Sequence, residues 1–184
     1  MQNTVLAPIE IDVTQVNKTW FSLRKKKSYT PQYVIGFYQR FKKSDNVVIK
    51  KLPDNKLETI DRFIREVVAS GAHIYCERGV LPDSIHEGYV VHELEAKEGE
   101  HVKGDIHINN LKNVWRDLKR NIKREYIHVS PHHLQGYCDE VAWKINKREL
   151  STSDKFTLLM QSAANRPPLG YRELTSRNPK KKSI

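Results

Sequence analysis

The hydrophobic period of this chain changes at Pro53, and that change limits what it can fold into. Upstream, Tyr33–Phe41 and Asn46–Leu52 are runs of β-branched and aromatic residues separated by the short polar stretch Lys42–Asp45, which predicts a hairpin. Earlier still, Ile9, Ile11, Val13 and Val16 alternate with polar positions that include Glu10 and Asp12, as in a strand with one polar side. Downstream, Leu57, Ile60, Phe63, Ile64, Val67 and Val68 recur at helical spacing. Strands followed by an amphipathic helix must bury their apolar faces against each other, so the expected class is an α/β layer.

The rest of the chain extends the same pattern. The first helix is expected from Pro53-Asp54, with Asp54 as N-cap, to Gly71. His73–Glu77 predicts a short strand returning to the sheet, and Tyr89–Leu94 a weaker one. After Ile106, Leu111, Trp115, Leu118 and Ile122 share one helical stripe, with Lys112, Arg116, Lys119, Arg120 and Lys123 on an opposing basic face. Ser130-Pro131 reads as the N-cap and first turn of a further helix carrying Leu134, Tyr137, Cys138, Val141, Ala142 and Ile145. A last helix is expected around Asp154–Ala163. Three antiparallel strands, a helix, further strands and then helices imply a mixed sheet flanked by helices. One domain is expected over residues 1–174, followed by a basic flexible tail over 175–184.

Charge narrows the partners. The 184 residues carry 32 Lys plus Arg against 22 Asp plus Glu, a formal net charge of +10. The basic residues cluster at Lys18–Lys27, Lys42–Lys51, Lys112–Arg124 and Lys180–Lys182. A polyanion is the natural partner, with nucleic acid favoured over the alternative reading of the clusters as solvated faces. Trp20, within the first cluster, suits a nucleic-acid contact, whereas Trp115 and Trp143 lie on or beside apolar stripes and suit the core. No segment joins a basic face to a strongly apolar one, and no apolar run approaches the ~18 residues needed to cross a bilayer. An intracellular protein is expected, cytoplasmic or nucleoid-associated, with no membrane partner. The two cysteines, Cys76 and Cys138, form no CxxC pair, so zinc is not expected and both read as buried thiols.

Several segments, in order, resemble the catalytic domain of the ISXO-type insertion-sequence transposases of the DDE superfamily, relatives of the Merlin elements. They are Ile9–Thr14, the basic loop before Tyr33–Gly36, Leu57–Ile60 with Phe63–Glu66, and Ile74–Glu77. The series continues through Gly104–Asn109, Trp115–Arg120, Tyr126–Tyr137 and Ile145–Arg148. The resemblance spans about Ile9 to Leu174 and implies an RNase-H-like fold that gathers three distant acidic positions around divalent ions. Such ions relieve charge on a scissile phosphate, activate the attacking oxygen and stabilise the leaving one. Mg²⁺ or Mn²⁺ is therefore the implied cofactor, DNA the implied partner, and a homodimer a possible assembly.

Carried over position by position, Asp12 matches the first metal-binding acid. Glu77 matches the second, where the family has Asp, one methylene shorter. At the third, the family's His-x-Asn-x-Ile-Glu reads His107-Ile-Asn109-Asn-Leu-Lys112, with an ammonium in place of the final carboxylate. Asn109, or Asn113 one residue past Lys112, is the substitute the resemblance offers; with Asn109 the implied catalytic set is Asp12, Glu77 and Asn109, with Asp12 and Glu77 as metal ligands. Trp20, Arg24, Lys25, Lys26 and Lys27, together with Lys112, Arg116, Lys119, Arg120 and Lys123, are the candidate DNA contacts. Two functions stay open: metal-dependent strand cleavage and transfer, or a catalytically inactive relic that binds DNA or a protein partner.

Overall fold

The structure is a computed structural model that describes residues 8–16, 31–41, 46–95, 102–103, 106–126, 129–167 and 170. Trp20, Arg24, Lys25, Lys26, Lys27 and the tail expected after residue 174 lie outside the described residues.

Five strands form one mixed sheet: β1 (Ile9–Val16), β2 (Gln32–Gln39), β3 (Asn46–Leu52), β4 (His73–Glu77) and β5 (Val90–Leu94), in the order β3-β2-β1-β4-β5. β1 and β2 pair antiparallel, as do β2 and β3, whereas β4 runs parallel to both β1 and β5. Two short strands, β6 (Val102–Lys103) and β7 (Ile106–His107), pair antiparallel ahead of α2 (Asn109–Asn121). α1 (Leu57–Val67) joins β3 to β4, and α3 (Leu134–Asn146) follows α2. This is the RNase-H-like arrangement expected: three antiparallel strands, a crossover helix, two parallel strands and then helices. Among the described residues no helix is long and apolar enough to cross a membrane.

Alternation along the strands divides the core in two. On one side of the sheet, Ile11, Ile35, Phe37, Ile74 and Cys76 pack with Ile60 and Ile64 of α1. On the other, Val16, Val34, Tyr38, Val47 and Ile49 pack with Leu111, Trp115 and Leu118 of α2 and Leu134, Cys138 and Val141 of α3. Each fully buried isoleucine here, such as Ile11, Ile35 or Ile74, contributes about 1.5–3 kcal/mol of transfer free energy. Both cysteines are buried, and burial pushes each thiol up to about 12, as expected of core residues.

Helix starts differ from the sequence expectation. α1 begins at Leu57 rather than at Asp54, whose Oδ1 accepts from the Lys56 backbone N–H at 3.1 Å and so turns the chain just ahead of the helix. Its C-cap is Val68, short of Gly71. α3 begins at Leu134, because residues 131–133 form a turn closed by the His133 N–H donating to the Ser130 carbonyl at 3.0 Å. In each case a polar side chain or turn residue satisfies the backbone locally before the helix starts.

The chain divides into two compact units, residues 1–146 and residues 147–184. The first holds the sheet and α1 to α3. The second holds α4 (Thr152–Ala164), whose N-cap Ser151 Oγ accepts from the Asp154 N–H at 3.1 Å. No residue of α4 is buried.

Candidate functional site

The site lies on the α2 side of the sheet. Glu10 and Asp12 are two residues apart on β1 and therefore project from the same side; they are the two buried charged residues among those described, at 0% and 4% exposure. Paired positions on β1 and β4 end at Glu10 and Tyr75. Asp12, in the middle of β1, and Glu77, at the carboxyl end of β4, each lie two residues further along, just past the stretch over which these parallel strands pair. Glu77 ends β4 because the chain turns at once through Gly79, whose φ of +78° is costly for any residue with a Cβ.

Each acid is held by a different part of α2. Glu10 accepts from the Leu111 backbone N–H at 3.0 Å and from Asn110 Nδ2 at 2.6 Å, so a buried carboxylate ties down the first turn of the helix. Arg40 pairs with Glu10 at 2.7 Å and also donates to the His107 carbonyl, fixing the strand that leads into α2. Asp12 Oδ2 accepts from Trp115 Nε1 at 2.8 Å, and its Oδ1 from the Val13 N–H at 2.9 Å. The Trp115 ring can sit there because Gly36, opposite Asp12 on β2, has no side chain: a Cβ on Gly36 would come within 2.6 Å of Trp115 Cη2.

The third group at the site is basic. Lys112 Nζ lies 2.9 Å from Glu77 Oε1 and 3.6 Å from Asp12 Oδ2. Burial alone would lower the Lys112 pKa, but the hydrogen bond to Glu77 and the charges of Asp12 and Glu77 outweigh it and raise it. Desolvation raises the Asp12 pKa, with Lys112 and the Trp115 hydrogen bond opposing. A cavity of about 430 Å³ opens here, lined by Asp12, Thr14, Glu77, Lys112, Arg116 and Lys119 among others.

The positions expected to form the site are thus only partly gathered. Asp12 and Glu77 come together, and Lys112 joins them. Asn109 opens α2, half-buried, and is not part of the cavity wall. Arg116 and Lys119 face the cavity, Arg120 pairs with Asp117 at 2.8 Å, and Lys123 is exposed just beyond α2. Glu10 and Arg40 were not singled out from the sequence. The available signal was a second acid on the same side of β1 as Asp12.

A divalent ion of the Mg²⁺ kind requires several hard oxygen ligands in tight geometry. Among the described residues no group of three His, Cys, Asp or Glu side chains could hold a metal ion. The space between the two carboxylates is taken up by the Lys112 ammonium, which has no lone pair to offer. As seated, these residues do not fit the ion.

The family model for the ISXO2-like transposase domain matches residues 7–146. The chain belongs to the ISXO2-like transposase family. The matched residues cover all but the first six residues of the first compact unit and hold the whole site of this ISXO2-like transposase domain. Transposases act on DNA, and those of the DDE type generally use divalent metal ions. No curated protein matches the sequence. Among solved structures, the catalytic core domain of BIV integrase is similar with a TM-score of 0.48 and 12% identity, over 87% of this chain and 99% of that one.

Proposed function

We propose that this chain is a DNA-binding protein of the transposase type whose acidic pair is neutralised by Lys112, so that it holds DNA without cutting it. The observation that carries the reading is the Lys112 ammonium, 2.9 Å from Glu77 and 3.6 Å from Asp12. Strand cleavage and transfer assisted by Mg²⁺ or Mn²⁺ needs those carboxylates free to ligate ions, and a resident cation repels a divalent one.

DNA binding is supported by the family, by the net charge of +10, and by Arg116 and Lys119, which lie on successive turns of α2 and both face the cavity. Arg and Lys along a helix engage phosphates and release counterions without reading base edges. Binding should therefore be indifferent to sequence and steeply dependent on salt.

Two measurements test this reading together. Duplex DNA should bind with an affinity that falls as salt rises from about 50 to 200 mM, and Arg116→Ala with Lys119→Ala should weaken it and flatten the salt slope. Supercoiled plasmid should stay intact with Mg²⁺ or Mn²⁺. Nicking by the natural chain that Asp12→Ala abolishes would overturn the reading.

A further inference from the structure

Two histidines that the site above does not use meet at the edge of the sheet. Ile74 and Cys76 of β4 and Val91 of β5 pack into the α1 core, so His73, Tyr75 and His92 project from the other side. β5 is an edge strand. His73 Nδ1 lies 3.2 Å from His92 Nε2, the ring planes are 18° apart, and both residues are half-buried. Tyr75 meets the His92 ring edge-on at 5.2 Å, and the Arg40 guanidinium lies 5.3 Å over Tyr75. The His92 ring is therefore held between His73 and Tyr75. Glu77 lies four residues along β4 from His73, about 13 Å at the rise of a strand, and neither histidine lines the acidic cavity.

We infer that His73 and His92 form a site for a single imidazole-preferring transition-metal ion of the Zn²⁺ or Cu²⁺ kind. Two nitrogens bound at about 2.0–2.1 Å to a tetrahedral ion stand about 3.3 Å apart, and His73 Nδ1 and His92 Nε2 are 3.2 Å apart. A proton on one of these nitrogens closes the contact as a hydrogen bond. An ion takes that proton's place, and the ring then carries its proton on its other nitrogen, leaving both imidazoles neutral. Imidazole selects Zn²⁺ and Cu²⁺, whereas Mg²⁺ prefers oxygen ligands, so this ion differs in kind from the one the acidic positions imply. Zinc was not expected from the cysteines, and neither Cys76 nor Cys138 belongs to this pair. Among the described residues no third His, Cys, Asp or Glu joins it, so water completes the coordination, and the ion clips the edge strand β5 to β4.

The experiment is isothermal titration of the full chain, free of any affinity tag, with ZnCl₂ and with CuCl₂. One ion per chain is expected, not displaced by excess Mg²⁺, and His73→Gln and His92→Gln should each bind at least about tenfold more weakly. Zn²⁺ should raise the unfolding temperature of the natural chain and not that of either variant, because an ion held only by the folded state stabilises it. His132→Gln combined with His133→Gln, at two exposed histidines of the turn before α3, should keep both responses. Cu²⁺ electron spin resonance of the natural chain depends on no variant and should show two nitrogen ligands. No uptake by the natural chain, unchanged binding in either single variant, loss of binding when His132 and His133 are replaced, displacement by Mg²⁺, or a copper signal with fewer than two nitrogens would refute the inference.

Discussion

The indole Nε1 of Trp115 donates to Asp12 Oδ2 at 2.8 Å, joining the middle of β1 to the second turn of α2 across 103 residues of sequence. Trp115 is both a core residue and the group that sets the Asp12 carboxylate. Replacing it with Phe preserves the aromatic packing and removes the donor. A loss of about 1–3 kcal/mol is expected, read as a lower urea midpoint with an unchanged slope. No change in midpoint would mean that Asp12 does not depend on the indole.

Gly36 makes that contact possible. A Cβ there would meet Trp115 at 2.6 Å and Leu111 at 2.8 Å, both parts of a packed interior. Gly36→Ala should therefore destabilise by about 1–3 kcal/mol through overpacking, even though alanine favours strands no less than glycine. If thermal unfolding shows an unchanged midpoint, α2 sits further from β2 than the structure has it.

Glu10 anchors the start of the same helix. Glu10→Ala would leave the Leu111 N–H, Asn110 Nδ2 and the Arg40 guanidinium without their shared carboxylate. Breaking a buried pair from one side costs about 3–5 kcal/mol, and chemical denaturation should show a loss of that order. A loss below about 1 kcal/mol would mean that water replaces the carboxylate there.

On the opposite side of the sheet, Asp61 of α1 accepts from Arg65 and from Ser84 Oγ, and the Arg65 and Ser84 hydrogen bonds hold its carboxyl below the ordinary value of 3.8. A depressed folded-state pKa means that the carboxylate contributes stability above pH 3.8, which is lost as pH falls through the lower folded value. The stability gap between the natural chain and Asp61→Asn should therefore close below about pH 3.8. A gap that persists unchanged into acid would remove Asp61 as its source.

How much of this was legible in the sequence depends on the distance over which each feature is decided. The hairpin of β2 and β3 follows from two β-branched runs, and the stripe Leu111, Trp115, Leu118 and Ile122 is buried as its period requires. Asp12 and Glu77 were identified as partners through ordered resemblance to transposases. Glu10, by contrast, looked like the solvated side of a strand and is fully buried. The face carrying Lys112, Arg116 and Lys119 read as one basic stripe along a helix, yet its first residue is spent on two acids and only the next two remain open to a partner.

Local periodicity determined the elements, because the burial of one side of a helix or strand is written in spacings of two to four residues. The amino-acid types likewise determined that a lysine stands where the family carries its third acid. Only the tertiary structure decided what that lysine does: β1, β4 and α2 must pack before an ammonium can lie between two carboxylates 35 and 100 residues away in the chain. Charge interactions depend on distance and burial, and neither exists until the sheet has closed against the helix.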